Sequence, residues 1–202
     1  TLEGMGYTSP TPIQEAVIAT VRAGQDVVGQ AQTGTGKTAA FGIPLVETLD
    51  PGFREIQALV LVPTRELAIQ VNGELARLGK FRGLNSVAVY GGQAISRQLE
   101  AFQRGIHIIV ATPGRLIDHI ERGTVRLKLL RYVVLDEADQ MLDIGFAQDM
   151  DRILRETPRE RQTALYSATF PGFIRRLINR HLREPVYIWS DDGQLETVEE
   201  VE

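Results

Sequence analysis

The sequence predicts an α/β domain with a mainly parallel β-sheet and helices on both of its faces. Short apolar runs rich in Val and Ile recur along the 202 residues, and longer amphipathic stretches separate most of them. Glycine-rich or charged segments follow nearly every apolar run. Strands that alternate with helices form βαβ crossovers, which make neighbouring strands parallel and cover the sheet on both sides.

Seven runs are predicted to be strands because each is short, apolar and bounded by polar or turn-forming residues. They are 26–29 (DVVG), 57–62 (QALVLV), 86–90 (SVAVY), 106–111 (HIIVAT), 131–136 (RYVVLD), 162–167 (QTALYS) and 185–189 (PVYIW). Apolar spacing predicts helices over 64–79, 94–104 and 171–182. The segment TPRER at 157–161 precedes a strand and is predicted to be a simple turn.

The composition is that of a soluble globular domain, with 43% hydrophobic and 24% charged residues. The chain has no cysteine, which excludes disulfides, thiolate metal sites and a thiol nucleophile. We find no apolar run of membrane-spanning length and no signal-peptide pattern at the start, and therefore expect a cytoplasmic location and no membrane partner.

The charge is uneven along the chain. The net charge is −4, but residues 191–202 hold six acids and no base, which leaves 20 acids and 22 bases in residues 1–190. We predict that residues 1–190 form the folded domain and that 191–202 are a solvated acidic tail. A mildly basic body is compatible with nucleic-acid binding.

The segment AQTGTGKT at 31–38 follows a predicted strand and predicts a phosphate-binding loop. Glycines at 34 and 36 let backbone N–H groups converge on phosphate oxygens, and the next helix adds the positive end of its dipole. Lys37 would neutralise phosphate charge and the Thr38 hydroxyl would hold Mg²⁺. The predicted nucleotide-binding residues are Ala31, Gln32, Thr33, Gly34, Thr35, Gly36, Lys37 and Thr38. The alternative is a glycine-rich turn with a surface lysine.

The segment DEAD at 136–139 places three carboxylates within four positions, where they repel one another unless a cation compensates them. We predict that Asp136 holds Mg²⁺ opposite Thr38 and that Glu137 polarises the water that attacks the γ-phosphorus of a bound nucleotide. Asp139 has no assigned role. Alternatively, the acids merely favour the start of a helix.

These segments together resemble the first RecA-like domain of the DEAD-box RNA helicases, over nearly the whole chain. GYTSPTPIQ at 6–14 is similar to the family's Q motif, AQTGTGKT to motif I and PTREL at 63–67 to motif Ia. GG at 91–92, TPGR at 112–115, DEAD at 136–139 and SAT at 167–169 follow in the family's order. The resemblance implies a RecA-like P-loop NTPase fold.

The resemblance also implies roles for single residues. Gln14 would recognise adenine, because an amide both donates and accepts hydrogen bonds; the alternative is an exposed helical Gln. Ser167 and Thr169 would couple ATP state to RNA binding and join Lys37, Asp136 and Glu137 in the catalytic set; alternatively they cap the next helix. The resemblance implies RNA-backbone contacts, and the alternative is that these segments are ordinary turns. The residues concerned are Pro63, Thr64, Arg65, Gly91, Gly92, Thr112, Pro113, Gly114 and Arg115.

At the level of function, the resemblance implies the ATP-binding half of an ATP-dependent RNA helicase. A second RecA-like domain would follow the acidic tail, and RNA would be bound through its backbone without sequence preference. Two alternatives remain open, namely a DNA-dependent P-loop motor and a non-catalytic RNA-binding module. His107, His119 and His181 lack metal-ligand spacing and are predicted to be structural, and Trp189 is predicted to pack at the edge of the core.

Overall fold

The computed structural model describes residues 10–30, 36–191 and 194–198. Within them, eight strands form one sheet. The strands are β1 Val27–Gln30, β2 Ala58–Leu61, β3 Ser86–Val89, β4 Ile108–Ala111, β5 Tyr132–Leu135, β6 Gln162–Ser167, β7 Val186–Asp191 and β8 Gln194–Val198. The α-helices are α1 Pro12–Arg22, α2 Lys37–Thr48, α3 Arg65–Gly79, α4 Ile95–Gln103, α5 Pro113–Glu121, α6 Ala138–Ile144, α7 Ala147–Arg155 and α8 Gly172–His181.

The strand order in the sheet is β3-β4-β2-β5-β6-β1-β7-β8. The first seven strands in this order pair in parallel, so that β1 lies between β6 and β7 with Val27 opposite Ala164 and Val186. All seven predicted strands and the mainly parallel sheet are confirmed. The predicted helices correspond to α3, α4 and α8, and 157–161 is a turn before β6 as predicted.

Two hydrophobic cores lie on the two faces of the sheet. On one face, Val27 and Val134 pack with apolar residues of α1, α2 and α3. On the other face, Val28 and Val133 pack with apolar residues of α5, α7 and α8. Adjacent residues of one strand enter opposite cores because side chains alternate along a strand. The prediction of helices on both faces is therefore confirmed.

Trp189 is partly buried and packs on two aromatic neighbours, with ring centroids 5.4 Å from Phe170 and 5.9 Å from Tyr187. It lies on β7, beside the last strand of the sheet. The prediction that it packs at the edge of the core is confirmed. No helix in the described part of the chain is long and apolar enough to cross a membrane.

Gln194–Val198, within the predicted acidic tail, form a strand that the sequence analysis did not predict. These residues form β8, which pairs antiparallel to β7 with Val198 opposite Tyr187. Without β8, one edge of β7 would present unpaired N–H and C=O groups, and backbone pairing satisfies them without an apolar side-chain pattern. The domain division near residue 190 remains a prediction.

Candidate functional site

Six of the predicted motif segments lie at one edge of the sheet. In a parallel sheet the carboxyl ends of the strands share an edge, and ligands bind in the loops that leave it. The segments at 36–38, 63–65, 91–92, 112–115, 136–139 and 167–169 follow β1, β2, β3, β4, β5 and β6 in that order. The fold thus brings together segments that the sequence spreads over more than 130 residues.

The described part of the predicted phosphate loop begins at Gly36; Ala31, Gln32, Thr33, Gly34 and Thr35 lie outside the described residues. Gly36 caps the start of α2 with φ 76° and ψ 22°, a left-handed conformation that glycine adopts without strain. Lys37 and Thr38 are the first two residues of α2. The N–H groups of a first helical turn have no partner within the helix and suit phosphate oxygens.

Asp136 directly follows β5 and is only 3% exposed. Its Oδ1 atom lies 3.6 Å from Lys37 Nζ, and no hydrogen-bond partner for Oδ1 is present among the described residues. Burial raises the pKa of Asp136, and the positive charge of Lys37 only partly opposes this rise. A buried carboxylate oxygen without a hydrogen bond is costly unless a cation compensates it. Its chemistry is that of a Mg²⁺ ligand.

A metal at this edge would need ligands of more than one kind. Among the residues that the structure describes, no group of three or more His, Cys, Asp and Glu side chains could hold an ion by itself. Mg²⁺ usually takes one or two protein oxygens and completes its shell with water and substrate phosphates. The buried Asp136 carboxylate and the partly buried Thr38 hydroxyl fit that pattern.

Glu137 has an unusual backbone conformation for a residue with a side chain. It caps the start of α6 at φ 55° and ψ 52°, in the left-handed region, which costs on the order of 1 kcal/mol. Strain of this kind persists only where the surrounding structure holds it, and it is frequent at functional sites. Burial raises the pKa of Glu137, and the neighbouring Asp136 carboxylate raises it further.

Asp139 joins the carboxylate segment to the SAT segment. Its Oδ2 atom accepts hydrogen bonds from the N–H groups of Ala168 (3.2 Å) and Thr169 (2.9 Å) and from the Thr169 hydroxyl (3.1 Å). The Asp139 N–H donates to Ser167 Oγ over 3.2 Å. Both hydroxyls therefore bond toward the acidic cluster, and their partner there is Asp139, the one acid to which the sequence analysis assigned no role.

Two further contacts complete this hydrogen-bonded group. The Ser167 hydroxyl donates to the Thr169 carbonyl over 2.6 Å, and Gln30 Nε2 donates to the Ala168 carbonyl over 2.9 Å. Gln30 ends β1, so the ends of β1, β5 and β6 are linked. The alternative that Ser167 or Thr169 caps the next helix is wrong, because Pro171 precedes α8 and no side chain caps it.

Gln14 is buried rather than exposed on its helix. Its Oε1 atom accepts from the Thr11 N–H over 2.9 Å, and the Thr11 hydroxyl accepts from the Gln14 N–H, which forms a capping box at the start of α1. Its Nε2 atom donates to the Gly36 carbonyl over 3.2 Å. A Cβ atom at position 36 would clash with this amide. Gln14 thus connects α1 to the end of the phosphate loop.

The first two predicted RNA-contact segments differ in exposure. Pro63 is buried, and the Thr64 hydroxyl caps α3 by accepting from the Leu67 N–H over 3.2 Å. Arg65 is exposed, and its guanidinium lies 5.1 Å from the centre of the Tyr90 ring. Gly91 and Gly92 are exposed on the neighbouring loop. Arg65 and the two glycines are accessible to a nucleic-acid backbone.

The TPGR segment starts α5 and is largely occupied by internal contacts. Thr112 and Pro113 are buried, and Gly114 is exposed. Arg115 Nη1 donates to the Gln93 carbonyl over 2.9 Å and to Gln98 Oε1 over 3.3 Å. Arg115 therefore holds the loop that contains Gly91 and Gly92.

Gln98 is a central residue of this region that the sequence analysis missed. It is 1% exposed, and its Nε2 atom donates to the Tyr90 carbonyl (3.1 Å) and to Gln93 Oε1 (3.0 Å). Its Oε1 atom accepts from Arg115 and contacts His119 Nε2 at 2.6 Å. The available signal was its position on the apolar face of α4, between Ile95 and Phe102.

The order of the motif segments at one sheet edge agrees with the comparison of the chain with known families. The sequence model of the DEAD/DEAH box helicases matches residues 11–177. The chain belongs to the DEAD/DEAH box helicase family. The family model extends from the helix of Gln14 to α8, so the match includes every site segment described above.

Curated DEAD-box relatives are similar over most of this chain. A DEAD-box ATP-dependent RNA helicase CshA from Geobacillus kaustophilus is 53% identical over 184 residues, which are 91% of this chain and 39% of that protein. The protein of the same name from Bacillus subtilis is 52% identical over 184 residues, 91% of this chain and 37% of the relative. The chain thus spans less than half of the length of these relatives.

Solved structures of DEAD-box proteins share the fold. A DEAD box protein from Methanococcus jannaschii superposes with a TM-score of 0.90 at 41% identity, covering 94% of this chain and 52% of that one. A hypothetical ATP-dependent RNA helicase from Sulfolobus tokodaii gives a TM-score of 0.86 at 36% identity, covering 94% and 55%. The predicted RecA-like fold class and the family resemblance are confirmed.

Proposed function

We propose that this chain is the ATP-binding half of an ATP-dependent RNA helicase. The main support is the Lys37–Asp136 pair, buried at the sheet edge to which the candidate RNA-contact loops also belong. A buried cation beside a carboxylate oxygen without a hydrogen bond suits Mg²⁺ and nucleotide phosphates. The curated relatives are named ATP-dependent RNA helicases, which supports the same substrates.

In the proposed site, the nucleotide lies across the loop between β1 and α2. Gln14 binds the adenine edge, residues 31–38 surround the phosphates, and Lys37 offsets their charge. Asp136 and the Thr38 hydroxyl would hold Mg²⁺, which when bound would supply positive charge to the nucleotide phosphates. Glu137 accepts a hydrogen bond from the attacking water and orients it. Its raised pKa makes it a stronger base than an ordinary carboxylate.

The hydrogen bonds between Asp139 and the SAT segment are proposed to transmit the state of the nucleotide to the candidate RNA-contact loops. Asp139 lies two residues beyond Glu137 and binds the segment that contains Ser167 and Thr169. A shift of the DEAD segment on hydrolysis would therefore strain hydrogen bonds at the end of β6. These hydrogen bonds link the DEAD segment to the end of β6 and would form the first part of such a coupling.

We propose that the accessible Arg65, Gly91, Gly92 and Gly114 meet the RNA backbone directly. The buried Pro63, Thr112 and Pro113, with Thr64 and Arg115, shape those loops. Contacts of this kind position a strand without distinguishing its bases. The proposal includes a second RecA-like domain in the full-length protein, which would face this edge and supply an arginine to the γ-phosphate. The absence of cysteine favours a cytoplasmic location.

Steady-state ATP hydrolysis with and without single-stranded RNA tests the proposal. The 202-residue chain and a version extended through the second domain should be compared, with Lys37→Ala in both as the inactive control. An arginine supplied across an interface accelerates phosphoryl transfer by roughly 10³–10⁵-fold. We therefore expect RNA-stimulated hydrolysis only from the extended protein. Equal rates and equal RNA responses of the two proteins, or stronger stimulation by DNA than by RNA, would contradict the proposal.

A further inference from the structure

A cavity of about 670 Å³ lies at the other end of the sheet from the nucleotide loop. Its walls are the connection between α7 and β6 and the connection between α8 and β7, at the amino ends of both strands. Five arginines line it, together with His181: Arg155, Arg159, Arg161, Arg180 and Arg183. The motif segments of the nucleotide and RNA sites are all at the carboxyl ends of the strands, so this cavity is separate from them.

The carboxylates around the cavity compensate only part of this charge. Asp151 forms ion pairs with Arg155 and Arg180 and contacts His181 Nε2 at 2.8 Å. Asp26 accepts backbone N–H bonds from Thr163 and Arg183 over 2.7 Å each. Among the described residues, no carboxylate forms an ion pair with the guanidinium groups that remain, those of Arg159, Arg161 and Arg183.

Arg161 is the most buried of these arginines, at 4% exposure. Its Nη1 atom donates to the Pro158 carbonyl over 2.7 Å and its Nη2 atom to the His181 carbonyl over 3.4 Å. Its Nε atom is buried without a hydrogen-bond partner in the described part of the chain. Burial lowers the pKa of Arg161; Asp26 opposes that effect and Arg183 adds to it. A buried cation with an unused donor is costly unless an anion compensates it.

We propose that this cavity binds an anion that carries phosphate groups. The planar guanidinium presents donors that match phosphate oxygens in pairs, and several arginines around one cavity can surround a multiply charged group. The volume is within the range of about 300–1,000 Å³ typical of small-ligand pockets. The phosphates could belong to a free polyphosphate compound or to the phosphorylated end of a nucleic-acid strand, since the chemistry is the same.

The test uses the chain with Lys37→Ala, so that binding at the nucleotide loop is weakened. Calorimetric titration with tripolyphosphate is the first arm, and titration with a short RNA bearing either a 5′-phosphate or a 5′-hydroxyl is the second. The cavity variant adds Arg159→Gln and Arg183→Gln, which leave the buried Arg161 in place. Because Arg183 Nη2 donates to the Arg161 carbonyl over 3.0 Å, thermal unfolding checks that this variant is folded. The matched control adds Arg77→Gln, an exposed arginine on α3.

We expect saturable binding that falls about tenfold or more in the cavity variant and is unchanged in the control, because each lost charge-assisted hydrogen bond is worth at least that factor. Binding of tripolyphosphate alone indicates a free polyphosphate ligand. A loss of affinity in the cavity variant that is seen with the 5′-phosphorylated RNA but not with the 5′-hydroxyl RNA indicates a strand end. The proposal is overturned if no probe saturates, or if the cavity variant and the control bind every probe equally.

Discussion

Lys37 Nζ lies 3.6 Å from Asp136 Oδ1, and both side chains are buried. The distance exceeds that of a hydrogen bond, so the attraction does not satisfy the carboxylate oxygen. The pKa of Asp136 is raised even though Lys37 lowers it. The desolvation penalty of the buried carboxylate is therefore larger than its stabilisation by the charge of Lys37. Without a bound cation, the charge on Asp136 therefore destabilises the folded domain.

Asp136→Asn should stabilise the nucleotide-free domain while weakening Mg²⁺-dependent nucleotide binding. The raised pKa already includes the attraction of Lys37, so removing the charge favours the folded state at neutral pH. We expect a gain on the order of 1 kcal/mol, or a few degrees in Tm. Thermal unfolding at pH 7.5 measures it, with the exposed Asp143→Asn as the control. A lower Tm for Asp136→Asn than for the control would contradict this account.

Lys37→Ala should weaken nucleotide binding more than Glu137→Gln does. In the proposed site, Lys37 contacts phosphates that are already present in the bound ground state, whereas Glu137 acts mainly on the attacking water in the transition state. Titration of each variant with a fluorescent ATP analogue separates the two roles. Equal losses of affinity would show that the division is wrong.

Gln14→Ala should reduce the preference for ADP over GDP by roughly 1–3 kcal/mol, because a site built for one base edge leaves polar groups unpaired when another base enters. Gln14→Glu provides a second variant, since it keeps an acceptor for the Thr11 N–H and loses the donor to the Gly36 carbonyl. The measurement is the affinity of both nucleotides for all three proteins. Equal affinities of the wild-type chain for ADP and GDP would refute adenine recognition.

Gln98→Leu should impair RNA binding without changing ADP affinity. The substitution removes the amide that joins Tyr90, Gln93, Arg115 and His119, so the loop with Gly91 and Gly92 loses its support. Unpaired buried groups should also lower stability by roughly 1–3 kcal/mol. RNA binding by the extended protein, ADP binding and urea unfolding are compared with Gln103→Leu, an exposed change on the same helix. Parallel losses of RNA and ADP affinity would argue against this role.

Lowering the pH below 6.5 should destabilise the domain partly through His119. Burial lowers the pKa of His119 below its usual 6.5, and the nearby Arg115 lowers it further. As the pH falls below 6.5, the unfolded chain binds the proton first, so stability falls until the folded pKa is reached. This effect is at most about 1.4 kcal/mol per pH unit. Urea unfolding at pH 7.5 and 5.5 should show a smaller loss for His119→Gln than for the wild-type chain. Equal losses would exclude His119 as the source.

The sheet was predictable from the sequence because strands buried on both faces appear as continuous apolar runs, and β2, β4 and β5 are completely buried. β8 was not predictable by this signal. β8 pairs with β7 through its backbone, which leaves no pattern in the side chains. Because residues 194–202 contain four glutamates, their composition is that of a solvated tail.

The motif segments could be placed at one sheet edge from strand order alone, but their internal contacts could not. Asp139 bonds to residues 29 and 30 positions away, and Gln14 bonds to a carbonyl 22 positions away. Such partners depend on which loops the fold places side by side. Polar residues on an apolar helix face, such as Gln98, are the local signal of such a contact.

The position of β1 between β6 and β7 determines when the proposed nucleotide site can form during synthesis. The strand that leads into the phosphate loop is synthesised first, yet the partners of Val27 are Ala164 and Val186. At about ten residues per second, translation delivers those partners on the order of ten seconds after β1. A fragment that ends before Val186 retains every motif from Gln14 to Thr169 but leaves one edge of β1 without its neighbour. Completion of the proposed nucleotide site therefore waits until β7 has been synthesised, and until then the unassembled chain exposes the apolar strand β1.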